Sequence, residues 1–119
     1  MVIDSGYKFC ELLTQMIRDA SLSNVEFYTA LGIKKPYFYD ILGGKVNPPP
    51  PNRQFAMLKL LNATKEQSAL FFDLAAKERG EVPADIANFL ENKEICEDLR
   101  KKINYTTLLK NGGKQNGQY

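Results

Sequence analysis

Residues 23–44 read SNVEFYTALGIKKPYFYDILGG, and the spacing of their apolar side chains decides the fold. With Gly32 as a turn, Phe27 and Leu31 lie five and one residues before it, and Ile33, Phe38 and Ile41 one, six and nine residues after it. That is the spacing of a helix-turn-helix, in which two short helices share a small core and the second turns its outer side to its surroundings. The ends are written into the same stretch. Ser23 supplies a side-chain oxygen to cap the first of these helices, with Asn24 and Glu26 in its first turn. Gly32 ends it, because glycine enters the left-handed region without strain. Pro36 falls in the first turn of the second helix, where its missing N–H is harmless, and Gly43 and Gly44 stop that helix. Pro48 to Pro51 bias each preceding residue to extended geometry and form a stiff strut into the next helix.

Upstream, Phe9, Leu12, Leu13, Met16, Ile17 and Ala20 repeat at three-and-four spacing and predict a first helix from about Ser5 to Ala20 with one buried side. Downstream, a fourth helix is expected over 52–62 with Phe55, Leu58 and Leu61 on its core side. Thr64 and Gln67 make a capping box for a fifth, which carries Leu70, Phe71, Leu74 and Ala75 inward and runs to Arg79, where Gly80 ends it. A sixth begins at Pro83. A seventh starts near Lys93, with Ile95, Cys96, Leu99 and Ile103 inward and Glu97–Lys101 and Asp98–Lys102 as ion pairs outward. No stretch keeps the alternation of a half-buried strand. The expected class is all-α, about five to seven short helices. They are expected as a domain over 1–92, a C-terminal helix over 93–110 and a disordered tail over 111–119 with nothing to bury.

At 119 residues, 44% hydrophobic and 25% charged, the chain is sized for one compact core. No apolar run approaches the roughly 18 residues of a membrane span, and MVIDSGYKFCELL shows no basic region followed by an apolar stretch, so a cytoplasmic protein is expected. There is no histidine, and Cys10 and Cys96 stand far apart without metal-ligand spacing. No metal and no cofactor are therefore expected, and the two thiols read as small buried side chains. With no Gly-rich phosphate loop and no paired nucleophile and base, nothing points to an enzyme. No small-molecule ligand is indicated either. The formal charge of +2 is modest but unevenly spread. Between Lys34 and Ala63, five bases (Lys34, Lys35, Lys45, Arg53 and Lys59) face Asp40 alone, and Arg100 to Tyr119 carries five more bases with no acid.

The run LSNVEFYTALGIKKPYFYDILGGKVNPP, residues 22–49, resembles the phage-repressor-like helix-turn-helix family, often called XRE or Cro-like. Members look like LT-x-x-x-LA-x-x-LG-(I/V)-S-x-x-x-(I/L)-S-x-IE-x-G-x-x-x-P. The later run LFFDLAAKERGEVPADIANFL, residues 70–90, is similar to a segment that follows the Pro-rich loop in many small regulators of this kind. The resemblance spans roughly residues 5–95. It implies a lambda-repressor-like DNA-binding domain and a sequence-specific transcriptional regulator of the repressor type, with double-stranded DNA as partner and a recognition helix near 35–43. Carried over by position, Lys35, Tyr37, Tyr39 and Asp40 would face base edges. Ser23, Asn24, Lys34, Lys45, Asn47 and Arg53 would contact phosphates. Three positions depart from the pattern: Tyr28 stands where a small Ala is usual, Asn24 where Gln is usual, and Leu42 where Glu usually precedes the glycine.

A plainer reading stays open beside each assignment. The lysines also suit an ordinary solvated face, Tyr37 and Tyr39 suit packed surface aromatics, and Asp40 suits an internal ion pair. On those terms the chain is a protein-interaction module on the same fold, such as an antitoxin or accessory subunit. A homodimer is expected under the first reading, because one unit reaches only half a turn of DNA. Ile95, Leu99 and Ile103, with Leu108 and Leu109 beyond, are the stripe left to supply its interface, or else to fold back on the fifth helix of the same chain.

Overall fold

Eight helices and no strand make up the described residues, 7–112, of the computed structural model. They are α1 (Phe9–Asp19), α2 (Asn24–Leu31), α3 (Lys35–Leu42), α4 (Pro51–Leu61), α5 (Lys65–Arg79), α6 (Ala84–Phe89), α7 (Lys93–Arg100) and α8 (Tyr105–Lys110). The expected all-α class is observed, with one helix more than the sequence suggested. Among the described residues no helix is long and apolar enough to cross a membrane. Two compact units divide between Ile86 and Ala87, inside α6.

In the first unit α1 packs against α3 and α5, and α2 packs against α3 and α4. The core is the expected stripe of α1 (Phe9, Leu12, Leu13, Met16 and Ile17) closed by Phe27, Phe38, Ile41 and the inner side of α5. Phe9 and Phe71 meet with ring centroids 4.8 Å apart, and the Phe9 N–H donates to Glu78 Oε2 at 2.8 Å. The start of α1 is thereby tied to the end of α5. The expected start of the first helix, Ser5, lies outside the described residues; the helix begins at Phe9 after an extended Lys8.

Local signals set most boundaries. The Ser23 Oγ accepts from the Glu26 N–H at 3.0 Å while the Ser23 N–H donates to Glu26 Oε1 at 2.9 Å, so α2 opens with a full capping box. Thr64 and Gln67 form the second box, as expected. Gly32 ends α2 with φ +71°. Pro51 is the first residue of α4, so only Pro48 to Pro50 remain in the strut.

The core side of α4 differs from the reading. It is Gln54, Met57 and Leu61 that are buried; Leu58 is half-buried and Phe55 lies at the surface, its ring against Phe72 at 5.1 Å. The reason is a backbone need that hydrophobicity does not express. The carbonyl of the buried Pro49 needs a donor, and Gln54 Nε2 supplies it at 2.8 Å. Gln54, Met57 and Leu61 share one side of the helix by three-and-four spacing, which turns Phe55 to the flank.

In the second unit no side chain between Lys93 and Lys110 is buried. Ile95 and Cys96 are half-buried, and Leu99 and Ile103 are exposed, contrary to the inward stripe expected. Helices of eight and six residues are too short to bury a face by themselves. The single helix expected over 93–110 is two, because Asn104 accepts from the Thr107 N–H at 3.1 Å and caps a new start. With α7 ending at Arg100, the expected pairs do not form; Lys93–Glu97 at 3.9 Å and Asp98–Lys101 at 3.5 Å do. Both cysteines are free and half-buried rather than buried. Asn111 and Gly112 form a turn; the rest of the expected tail lies outside the described residues.

Candidate nucleic-acid interface

The physical chemistry of α3 is divided by side. Its inner side chains, Phe38 and Ile41, are buried in the core, and Leu42 packs partly against it, so the position where an acid was usual is filled by an apolar contact. On the outer side Lys34, Lys35 and Tyr39 are exposed. Lys35 and Tyr39 are four residues apart and so lie one above the other.

The start of α3 breaks local rules. Its N-cap is Lys34, which makes no side-chain cap, Lys35 follows, and the first turn carries no acid. Cations beside the positive end of a helix dipole are unfavourable, and Ser, Thr, Asp or Asn is the ordinary choice at that cap. Two lysines beside uncapped N–H groups concentrate positive charge at one end of an exposed ridge. Local conflicts of this kind mark functional or strained positions, and α1 too opens from a lysine, Lys8, though with Glu11 in its first turn.

Of the four residues expected at base edges, Lys35 and Tyr39 stand outward, whereas Tyr37 and Asp40 are half-buried. Tyr37 packs against the core, and Asp40 makes no ion pair within 4.0 Å among the described residues. Of the six expected at phosphates, Ser23, Lys34, Lys45 and Asn47 are exposed. Arg53 instead turns inward, donating from Nη1 to the Leu31 carbonyl at 3.3 Å and so satisfying the C-terminal end of α2. Ser23 is engaged in its cap with Glu26. Hydrogen bonding to the carboxylate, from the Ser23 backbone N–H first and the Ser23 hydroxyl second, holds the Glu26 carboxyl below its ordinary 4.5. A carboxylate therefore sits beside the expected phosphate contact at Ser23.

Asn24 is half-buried and lines a shallow groove of about 340 Å³ with Thr14, Ile17, Arg18 and Leu22. Arg18 was missed by the sequence reading. It lies in the last turn of α1, where a base reads as a partner for the helix dipole, and the short turn after α1 sets it in the same groove as the start of α2.

Tyr28 stands where the resemblance implies a small side chain. Its ring is half-buried, lies over Phe38 at 5.3 Å between centroids, and meets Tyr39 at 6.5 Å with the planes 67° apart. The phenol is thus turned to the edge of the helix pair rather than driven between the helices. Phe38 and Tyr39 themselves meet at 5.3 Å and 78°.

No family model, curated protein or solved structure matches this chain.

Proposed function

We propose that the chain is a cytoplasmic, sequence-specific DNA-binding transcriptional regulator of the repressor type, which lays α3 in the major groove on a lambda-repressor-like domain. One observation carries the reading: α3 is anchored by Phe38 and Ile41 while its other side offers Lys34, Lys35 and Tyr39 at an uncapped, doubly basic start. An eight-residue helix is short enough to enter the groove from its N-terminal end. Lys35 donates to guanine O6 or N7, and Arg18, Lys34 and Lys45 take phosphates.

The test is fluorescence anisotropy with duplex DNA across a salt series. Three cations on phosphates predict a slope of log K against log salt of about −3 per bound copy. No binding at low salt and tens of micromolar protein overturns the reading. That result would favour the interaction module instead, for which the inward turn of Arg53 speaks, since it withdraws one base from the phosphate face.

Two copies on a two-fold axis would read half-sites about one helical turn apart. The exposed apolar residues of 93–110 are proposed as the dimer surface. Light scattering should find a dimer for the full chain and a monomer for Leu99→Lys, a change at a side chain already 42% exposed. A dimer in both rules out this surface.

A further inference from the structure

Between its lysines, the outer side of α3 is neither basic nor hydrogen-bonded. Positive charge stands before the helix at Lys34, in its first turn at Lys35 and beyond its end at Lys45. The middle of the ridge is Tyr39, 43% exposed, with half-buried Asp40 beside it. Charge at the flanks suits phosphates, and an acid beside Tyr39 repels them, so this ring belongs against bases rather than backbone.

Tyr39 is also held. Phe38 meets it at 78° from within the same helix, and Tyr28 meets it at 67° from α2, across the turn. Edge-to-face contacts with both rings favour this placement of the tyrosine. What remains outside is an apolar aromatic surface with one hydroxyl at its tip. Tyr28 extends that surface from α3 onto α2 and was not among the residues expected to matter for recognition.

Resting on the DNA-binding reading, we propose that Tyr39 and Tyr28 form one aromatic wall that selects thymine by its 5-methyl group, Tyr39 touching the base and Tyr28 acting as the positioning residue. In the major groove only thymine presents a methyl, and apolar side chains read it by contact. Cytosine carries only a hydrogen at that carbon, and adenine and guanine present polar edges through N7 and N6 or O6, so none of the three gives the wall a methyl to cover.

The experiment begins with the unaltered full chain. Duplexes it prefers are selected from a random pool, and the best site is resynthesised with each thymine replaced in turn by deoxyuridine, which keeps the base pair and loses only the methyl. One position per half-site should lose about fourfold in affinity, the value of one buried methyl. Tyr39→Ala should bring that ratio to one and Tyr39→Phe should keep it. Tyr28→Ala should reduce the ratio while Tyr28→Phe restores it; a merely structural role would weaken thymine and uracil duplexes alike.

If the pool yields no preferred sequence, the DNA-binding reading itself falls and takes this inference with it. If a sequence is recovered but no deoxyuridine position matters, or the ratio survives Tyr39→Ala, the wall does not select thymine although the DNA-binding reading stands. An undiminished ratio in Tyr28→Ala removes the positioning role. Circular dichroism of each variant shows that it is folded, and the deoxyuridine scan needs no variant at all.

Discussion

Replacement of Arg79 tests whether the Pro strut is held from outside its own segment. Arg79 closes α5, and its Nη1 donates to the carbonyl of Pro48 at 2.9 Å, across 31 residues of chain, while its Nε donates to Glu81. Pro48 is buried, so Arg79→Ala leaves a carbonyl without its donor as well as deleting a charged hydrogen bond. A hydrogen bond to a charged group is worth about 1.5–3 kcal/mol. Because the Arg79 side chain keeps 24% of its surface in solvent, the expected loss is about 2 kcal/mol, the lower part of that range. Urea denaturation followed by circular dichroism measures it, and the melting temperature should fall by roughly 10 °C for a unit of this size. Arg79→Lys keeps the charge without the planar fork and should recover only part of the loss. Glu81→Gln, at the exposed end, should cost less than about 0.5 kcal/mol. A stability for Arg79→Ala within 0.5 kcal/mol of the parent would refute the reasoning, as would a Glu81→Gln effect of equal size, which would assign the energy to the ion pair and not to the Pro48 carbonyl.

Gly32→Ala should cost about 1–2 kcal/mol from backbone strain alone, since φ is +71° and an added Cβ meets nothing within 4 Å; chemical denaturation of the mutant measures it. Glu26 contributes stability as a carboxylate, because its folded value lies below 4.5. That contribution is present above 4.5 and lost as the pH falls through the lower folded value, so the stabilities of the parent and Glu26→Gln should converge on acidification from pH 7 toward pH 3. A gap that stays constant over that range would place the carboxylate outside the cap. Lys35→Ala should weaken binding to the preferred site by about 1–3 kcal/mol and relax its sequence preference. Lys45→Ala should weaken all sequences alike and reduce the salt slope by about 0.9, both changes read by anisotropy titrations.

Legibility followed the range of the interaction. Helix periodicity, the caps at Ser23 and Thr64 and the turn at Gly32 depend on residues within four positions of one another, and each was readable from the sequence. So was the two-sidedness of α3, because Phe38 and Ile41 fix its inner side and leave Lys35 and Tyr39 opposite. Other features required partners more than one helical turn away, some of them only five or six residues along the chain. Gln54 lies in the core where Phe55 was expected, its Nε2 on the Pro49 carbonyl, and Arg53 turns inward onto the Leu31 carbonyl. Arg18 and Asn24 line one groove across the turn between α1 and α2, and the Tyr28 ring lies against Phe38 and Tyr39 across the next turn. A sequence states which groups must be satisfied nearby; which distant donor or ring satisfies the rest is decided when the chain closes and buried carbonyls and apolar faces meet their partners.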